Sequence, residues 1–330
     1  MSATTAGAGA KPAGNVKKRF IGLFCNYGLY IIFLLVIVYF ASRSAQFLTV
    51  KNAITIVQLA SALGIATVGM FFVLITGGID ISVASNMYFS ALMGSYLLNR
   101  FNVPILVSFV VAVLCGAFIG TINGIFVARF KMVPFITTLA TMSIARGFGL
   151  IISDQKMVIL NEQGFKVANT RLFGVPVMAF VFLITVAIGH FVFTRTQFGR
   201  QLFACGNNLT GANRIGINGP RTVFIAYLVC GCLAGLAGMV NACNLTSITQ
   251  NFAIGDEFVV ISSAVVGGAS LFGGKGKVFP GALIGIIMIQ VIINGLTITN
   301  ASPYAYTVVR GVIIFIAVMV DSIKFSGEIR

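Results

Sequence analysis

The chain has 330 residues, of which 58% are hydrophobic and only 9% are charged. A soluble domain carries roughly 25% charged residues, so these side chains could not cover a water-exposed surface, and the surrounding solvent must be largely lipid. The net charge of +15 does not indicate nucleic-acid binding, because the basic residues are spread along the chain and mostly flank apolar runs, as in the cytoplasmic loops of membrane proteins.

The residues that usually carry catalysis or bind metals are scarce. His190 is the single histidine, which excludes a histidine-based cluster, and the six cysteines form no CxxC pair. Because most of these cysteines lie inside apolar runs, we expect buried free thiols and neither a disulfide framework nor a metal site. The sequence therefore predicts no catalytic residue, no cofactor and no metal.

The N-terminal segment does not fit a cleaved signal peptide. Residues 1–20 are basic, and the apolar run that follows, 21–42, has 22 residues. A signal-peptide core has about 7–15 residues, so a retained first transmembrane helix is expected. We divide the chain into a cytoplasmic basic tail, 1–20, and a single transmembrane domain, 21–330.

Charge-poor runs that approach the length needed to cross the hydrocarbon core, about 20 residues, occur ten times in the chain. The third and eighth are short and lie beside glycine-rich or acidic segments, so either could be broken or re-entrant. All are too uniformly apolar for barrel strands, which alternate over about ten residues, and the expected fold class is an all-α polytopic membrane protein. The runs are 21–42, 53–76, 81–98, 103–128, 133–153, 175–193, 222–244, 257–274, 278–298 and 305–323.

Charge asymmetry and a faint repeat predict the arrangement of these spans. With the N terminus inside, 14 Lys and Arg residues lie on the inner side and 6 on the outer side, which favours ten spans with both termini cytoplasmic. The segment 116–120 (GAFIG) resembles 281–285 (GALIG), five spans later. Five is odd, so the two halves would run in opposite directions, as the inverted repeats of transporters do. The glycine pairs in both segments also fit close helix packing.

The longest inner loop, 194–221, joins the sixth and seventh spans. It has nearly thirty residues, whereas helix connections usually have about 2–8, and it contains aromatic, glycine and arginine residues. Two interpretations follow from this chemistry. The loop could fold as short helices on the inner membrane face and dock onto a cytoplasmic partner, or it could be a solvated linker.

This loop and three other segments, in the same order, resemble permease subunits of sugar-type ATP-binding-cassette importers, the ribose and galactose permease family. The three segments are 76–83 (TGGIDISV), Asn123-Gly124 followed by 133–147 (VPFITTLATMSIARG), and 265–276 (VVGGASLFGGKG) leading to Gly281. The resemblance runs from about residue 50 to the C terminus. It implies a pore-forming subunit of the type II importer kind in the bacterial inner membrane.

The resemblance also implies that ATP is bound by a partner subunit. The nearest approach to a phosphate-binding G-x-x-x-x-G-K-[ST] loop has Ala269 where the first glycine belongs and Gly276 where Ser or Thr should hold magnesium. In the family the inner loop contacts the ATPase, so we name 194–221 the coupling loop. Leu209 and Thr210 stand where relatives often have Pro-Glu, which affects the local turn. The residues to which the coupling role is carried over are Phe198, Gly199, Arg200, Gly206, Asn207 and Gly216.

The partners implied by the resemblance are two cytoplasmic ATPase subunits, a periplasmic sugar-binding protein and a second permease copy or paralogue. The substrate implied is a monosaccharide, and the chain is surrounded by membrane lipid. Permeases for branched-chain amino acids or for a furanosyl signalling molecule remain alternatives, although the motifs at 76–83 and 265–276 favour sugar.

Polar residues inside the spans are candidates to line a path, although most should bond across helices instead. Asp80 and Asp256 follow glycines and are predicted to be helix N-caps; for Asp80, transport chemistry is the alternative. Arg146 and Arg310 are either residues that extend to the membrane interface or a functional pair. The pathway candidates are Asn86, Ser90, Asn123, Thr138, Thr141, Asn241, Ser262, Ser263 and Asn294.

Two other classes of membrane protein make predictions that the sequence does not meet. An ion-coupled secondary transporter needs a relay of intramembrane acids and histidines, yet His190 is the single histidine and acids such as Asp80 are few in and beside the spans. A membrane-embedded enzyme needs a nucleophile, a base or a metal cluster, and no such group of residues is present in the sequence.

Overall fold

The structure, a computed structural model, describes residues 31–328. The predicted basic tail and the first part of the predicted first span, 21–30, lie outside the described residues. The described chain is mostly helical, with four strands of two residues each. The helices are α1 (Ile31–Arg43), α2 (Val50–Ile75), α3 (Val83–Phe101), α4 (Ile105–Ala128), α5 (Pro134–Ser153), α6 (Glu162–Asn169), α7 (Val177–Arg195), α8 (Gln197–Asn207), α9 (Leu209–Arg214), α10 (Gly219–Leu245), α11 (Asp256–Val266), α12 (Val278–Ile298) and α13 (Pro303–Glu328).

Each of the ten predicted spans overlaps a helix among the described residues, the first span only from residue 31 and the eighth only up to Val266. Six of these helices, α2, α4, α5, α7, α10 and α12, are long and apolar enough to cross a membrane. The described part of α1 and the apolar stretch Tyr304–Met319 of α13 are shorter. The third predicted span is an unbroken helix, α3, of 19 residues.

The eighth predicted span, 257–274, is broken, which is one of the two possibilities that its short length and its glycines left open, because α11 ends at Val266 after only 11 residues. The chain turns out of the helix at Gly268, which adopts a φ of +96° that residues with a side chain rarely take. The irregular segment 267–277 then leads into α12. We name it the glycine turn.

α2 lies at the centre of the bundle. Every residue from Ala60 to Ile75 is buried, and a helix that is apolar on all sides belongs in an interior. α10 packs on α2, α3 and α4, and α12 packs on α2 and α11. These contacts form one large buried core.

Glycines allow α4 and α10 to approach each other backbone to backbone. A Cβ on Gly120 would lie 2.5 Å from the carbonyl oxygen of Tyr227, and a Cβ on Gly116 would meet the carbonyl of Gly231. Such close contact is how small residues pack membrane helices, so the predicted packing role of Gly116 and Gly120 is confirmed. On α12, Gly281 and Gly285 pack in the same way on the end of α11.

The two ends of the bundle carry different connections. At one end, β1 (Val158–Ile159) pairs antiparallel with β4 (Ser247–Ile248), beside α6 and the hairpin of β2 (Arg171–Leu172) and β3 (Val175–Pro176). At the other end, α8 and α9 lie between the end of α7 and the start of α10. The coupling loop is therefore at the opposite end of α10 from the β1–β4 pair.

Candidate functional site

The coupling loop folds as two short helices because local sequence caps each helix. The Thr196 hydroxyl accepts a hydrogen bond from the Gly199 amide at 3.1 Å at the start of α8. The Asn208 side chain accepts from the Gly211 amide at 2.8 Å at the start of α9. Both residues are of types that stabilise helix N termini. The coupling loop is therefore not a solvated linker.

α8 is fixed to the membrane bundle along one face. The Phe198 ring stacks on Phe72 of α2 with centroids 6.2 Å apart, and Leu202 is fully buried. Burial raises the pKa of the Cys205 thiol on the same face, against the opposing effect of a hydrogen bond to Thr222. That thiol stays protonated at neutral pH and serves as a packing group.

The six predicted coupling residues divide into two groups. Gly199 and Gly206 are packing positions: a Cβ on Gly199 would lie 2.6 Å from the Phe193 carbonyl oxygen, and Phe198 is half-buried. Arg200, Asn207 and Gly216 are instead exposed on the surface of the loop.

Two further exposed residues were not among the predicted coupling residues. Leu209 is 45% exposed and Ile215 is 76% exposed, and both lie on or directly after α9. Nothing in the sequence distinguishes them from Leu202, an apolar residue of the same loop that is buried. Beside them, a cavity of about 540 Å³ opens between α8 and the start of α10, with Gln197, Gln201 and Arg221 in its wall.

The glycine turn contacts Gly206 and Asn207 of α8 and is bonded to two membrane helices, α2 and α13. The Gly274 amide donates to the Ile75 carbonyl at the end of α2 at 2.9 Å. The Asp321 carboxylate of α13 accepts from the Leu271 amide at 2.8 Å and from the Ser270 hydroxyl at 3.2 Å. Asp321 was not predicted, and its only sequence signal was a lone acid near the end of an apolar helix.

Asp80 lies in a buried polar network between helices. Its carboxylate is 1% exposed and accepts from the Ser82 amide at 2.9 Å and from the Ser82 hydroxyl. Asn123 of α4 donates to the Ser82 hydroxyl at 2.9 Å, with the Asp80 oxygens 3.5 Å away. The Asn123 carbonyl accepts from Thr141 of α5 at 2.7 Å. The network ties the turn before α3 to α4 and α5.

The structure corrects both predicted N-caps. The N-cap of α3 is Ser82, and Asp80 lies two residues earlier, because the chain completes a turn at 81–82 before the helix begins. The N-cap of α11 is Gly255, and Asp256 is the first helical residue. Both carboxylates nevertheless lie near the positive end of a helix, which stabilises negative charge.

Most of the remaining pathway candidates are satisfied by contacts within or between helices. Thr138 accepts from the Ile81 amide at 3.2 Å, and Asn294 accepts from Asn52 at 3.0 Å. Asn86 donates to the Gly116 carbonyl at 3.3 Å and accepts from Ser90. Ser263 donates to a carbonyl of its own helix. Ser262 alone of this group has a buried hydroxyl without a partner among the described residues.

A cavity of about 460 Å³, which we name the Gln290 cavity, opens at the bundle end opposite α8. Gln290 of α12 lines it and is 4% exposed. Nη2 of Arg310 lies 3.7 Å from Oδ1 of Asp256 in the same wall. The lining residues are Leu59, Leu63, Asn241, Leu245, Ser247, Thr249, Asn251, Phe252, Ala253, Asp256, Gln290, Ile293 and Arg310.

Arg146 and Arg310 converge on the segment that forms this wall. Arg146 donates to the Phe252 carbonyl at 2.8 Å and lies 4.5 Å from the centre of the Tyr88 ring. Arg310 forms an ion pair with Asp256, which lies four residues after Phe252 in the chain. Neither arginine simply extends to an interface, because each side chain is engaged by protein groups.

The described residues contain no group of three or more His, Cys, Asp or Glu side chains that could hold a metal ion. The arrangement instead offers hydrogen-bonding groups in a partly apolar cavity at one end and an exposed helical loop at the other.

Comparisons with known proteins place these features in context. The family described as branched-chain amino acid transport system / permease component matches residues 52–318. The chain is 34% identical over 319 residues to the D-allose transport system permease protein of Escherichia coli K12, covering 94% of this chain and 96% of that protein. It is 33% identical to the ribose import permease protein of the same strain, covering 88% and 92%. It is also 33% identical to that strain's L-arabinose transport system permease protein, covering 99% and 98%. No solved structure matches the chain.

Proposed function

The chain belongs to the branched-chain amino acid transport system / permease component family, and from that membership we propose that it is the permease subunit of a bacterial ATP-binding-cassette importer for a monosaccharide. It lies in the inner membrane as a multi-pass protein and forms the path through which the sugar crosses. A separate ATPase drives the movement, and this chain performs no catalysis of its own.

The observation that carries the sugar assignment is the near full-length similarity to permeases named for allose, ribose and arabinose. The family description names branched-chain amino acids, which remain the rival substrate. Three relatives for three different monosaccharides, each matched over at least 88% of this chain, favour a sugar over an amino acid.

Ten spans in two inverted halves form the transmembrane domain, with both termini in the cytoplasm. The packing supports this arrangement. Suppose that α2, α3, α4 and α5 of the first half correspond to α10, α11, α12 and α13 of the second. The contact of α4 with α10 then corresponds to that of α12 with α2, and the contact of α3 with α10 corresponds to that of α11 with α2. The contact of α3 with α5 corresponds to that of α11 with α13, and all six contacts are observed. Such an exchange of partners is expected of two halves related by a twofold axis.

The coupling loop receives the ATPase. Its exposed face carries Arg200, Arg214, Leu209 and Ile215, while its inner face is fixed to α2. A rigid docking surface is needed to transmit movement, and an apolar residue ringed by polar ones is the usual centre of an interface. ATP binds to the partner subunits, two of which serve a dimer of this permease with itself or with a paralogue. A periplasmic binding protein delivers the sugar.

Uptake in proteoliposomes tests this function. The permease is reconstituted with candidate ATPase and binding-protein partners, and uptake of labelled D-ribose, D-allose, L-arabinose and leucine is measured. We expect uptake of one of the sugars that stops on ATP depletion and resists a proton ionophore. Collapse under the ionophore at constant ATP would place the chain among secondary transporters, and uptake of leucine alone would assign the amino-acid alternative.

A further inference from the structure

Gln290 presents an unused amide in the middle of a membrane helix. It lies within α12 (Val278–Ile298), is 4% exposed and lines the Gln290 cavity. Within residues 31–328, its side chain has no hydrogen-bonding partner. The amide is therefore not engaged by the bundle and is available to a polar ligand that enters the cavity.

Other hydrogen-bonding groups that line the cavity with Gln290 are also incompletely bonded. The distance of 3.7 Å between Nη2 of Arg310 and Oδ1 of Asp256 exceeds that of a charge-assisted hydrogen bond, about 2.7–2.9 Å. The Nε of Arg310 is buried without a partner among the described residues. The side chain of Asn241, in the same wall, makes no hydrogen bond within that part of the chain either. These groups are ready to donate to and accept from a ligand.

The lining of the cavity also includes apolar side chains. Leu59 and Leu63 come from α2, Leu245 from the end of α10 and Ile293 from α12. A monosaccharide has the same two characters, with hydroxyl groups on its edges and C–H groups on its faces. The volume of about 460 Å³ lies within the range of small-molecule sites, about 300–1,000 Å³.

The position of the cavity fits one end of a path. It lies beside the first half of α2 and the last turn of α10, whereas α8 packs on the end of α2 and precedes the start of α10. The ATPase-facing loop and the cavity are therefore separated by the length of these two helices. With the coupling loop in the cytoplasm, the cavity is on the side where the binding protein delivers sugar.

We propose that the Gln290 cavity is a binding site for the monosaccharide inside the permease, occupied as sugar enters from the binding protein. Gln290 and the Asp256–Arg310 pair bind hydroxyl groups, and Leu63 and Ile293 pack on the sugar ring. The sugar class rests on the proposed function; the existence of a polar ligand rests on the unpartnered amide.

Replacing Gln290 by leucine separates a ligand-binding role from a structural one. The full permease carrying Gln290→Leu is reconstituted with its ATPase and binding protein, and uptake of labelled D-ribose, D-allose and L-arabinose is measured. We expect uptake of the transported sugar to fall at least about tenfold, the equivalent of one bidentate hydrogen-bonded contact of about 1.4 kcal/mol. Thermal stability should stay equal or rise, because the amide that is removed has no protein partner.

Gln58→Leu is the matched control. Gln58 lies next to Leu59 on α2 but does not line the cavity, so the same chemical change there should leave uptake at the wild-type rate. ATP hydrolysis stimulated by the loaded binding protein should persist in both variants, since neither residue contacts the coupling loop.

Protection from labelling gives a second readout that does not depend on transport. Asn251 is exposed and lines the cavity, and Asn251→Cys should react with a maleimide more slowly when the transported sugar is present. The same permease without the added cysteine corrects for native thiols. Wild-type uptake by Gln290→Leu, or labelling of Asn251→Cys unaffected by a sugar that wild type transports, would overturn this site and leave the importer intact. Absence of ATP-dependent uptake of all three sugars by wild type would overturn the sugar assignment together with this site.

Discussion

Gly206 of the coupling loop packs directly against the carbonyl group of Ile75, leaving no space for a Cβ between the two backbones. The same carbonyl accepts a hydrogen bond from the Gly274 amide at 2.9 Å. The end of α2, the coupling helix α8 and the glycine turn therefore meet at one carbonyl. A displacement of α8 by a docked ATPase would act on the most deeply buried helix of the bundle through backbone contact.

Gly206→Ala should separate α8 from this contact. The added methyl group would meet the Ile75 carbonyl and the Gly274 amide, and overpacking of this kind costs about 1–3 kcal/mol. We expect lower thermal stability in detergent, followed by far-ultraviolet circular dichroism, and reduced ATP-driven uptake in proteoliposomes.

Gly211→Ala is the matched control for that change. A Cβ at Gly211 would meet only the Asn208 side chain, at 3.2 Å, and alanine favours a helix relative to glycine by about 0.5–1 kcal/mol. Uptake should equal that of wild type, and stability should equal or slightly exceed it. Equal effects of the two substitutions would show that the Gly206–Ile75 contact has no special role.

Arg200→Glu should weaken docking of the ATPase without unfolding the permease. Arg200 is exposed on the outer face of α8, and reversing a charge within a docking surface should lower affinity by about tenfold, or about 1.4 kcal/mol. Affinity is measured by co-purification with the ATPase at graded concentrations. Arg171→Glu, an exposed arginine at the other end of the bundle, should bind the ATPase normally. If Arg200→Glu binds as tightly as Arg171→Glu does, the outer face of α8 is not the docking surface.

Asp321→Ala should loosen the glycine turn from α13. It removes the acceptor for the Leu271 amide and the Ser270 hydroxyl, and hydrogen bonds to charged groups contribute about 1.5–3 kcal/mol. We expect thermal stability to fall and ATP hydrolysis to become less dependent on the loaded binding protein.

Asp154→Ala provides the comparison for that loss of a carboxylate. Asp154 and its partner Lys156 are each 79% exposed, and surface ion pairs contribute little to stability. Its melting temperature should stay near that of wild type, and a drop as large as that of Asp321→Ala would count against a specific role for the α13 contact.

Thr141→Val tests the buried network around Asp80. The substitution removes the donor that satisfies the Asn123 carbonyl at 2.7 Å, and an unpaired buried acceptor costs about 1–3 kcal/mol. Thr137→Val one turn earlier removes only a bond to its own helix at 3.2 Å and should have a smaller effect. We expect a lower melting temperature in detergent for Thr141→Val than for Thr137→Val. Equal melting temperatures would show that the Asn123 carbonyl finds another donor.

The positions of the six helices that are long enough to cross a membrane could be predicted from apolar length, because a chain in lipid must satisfy its backbone within each segment. The exact end of α11 could not. The run 257–274 has only one charged residue, Glu257, over its whole length, and the packing of Gly267 against Gly281 shows where the chain turns. The apolar composition of a segment predicts its free energy of transfer into lipid, but it does not predict which helices that segment contacts.

A residue's own chemistry explains several helix starts, but it did not identify them in advance. Thr196, Asn208 and Asn218 begin helices because their side chains bond amides three residues later, yet none of them was predicted as a cap. The two predicted N-caps, Asp80 and Asp256, are not at the cap position. Asn123 and Gln290 are both buried amides, yet Asn123 is fully bonded in a network while Gln290 lines a cavity without a partner. Nothing in the adjoining residues distinguishes them.

The sequence by itself determined that this chain lies in a membrane, where its helices run, and which family its motifs resemble, because these depend on apolar length and on local segments. The tertiary structure decided which carboxylates and amides are bonded to protein and which remain open, and which face of the coupling loop is free to bind a partner. Those properties depend on distances between helices far apart in the chain, and they are fixed only when the close contacts of α2, α10 and the glycine turn have formed.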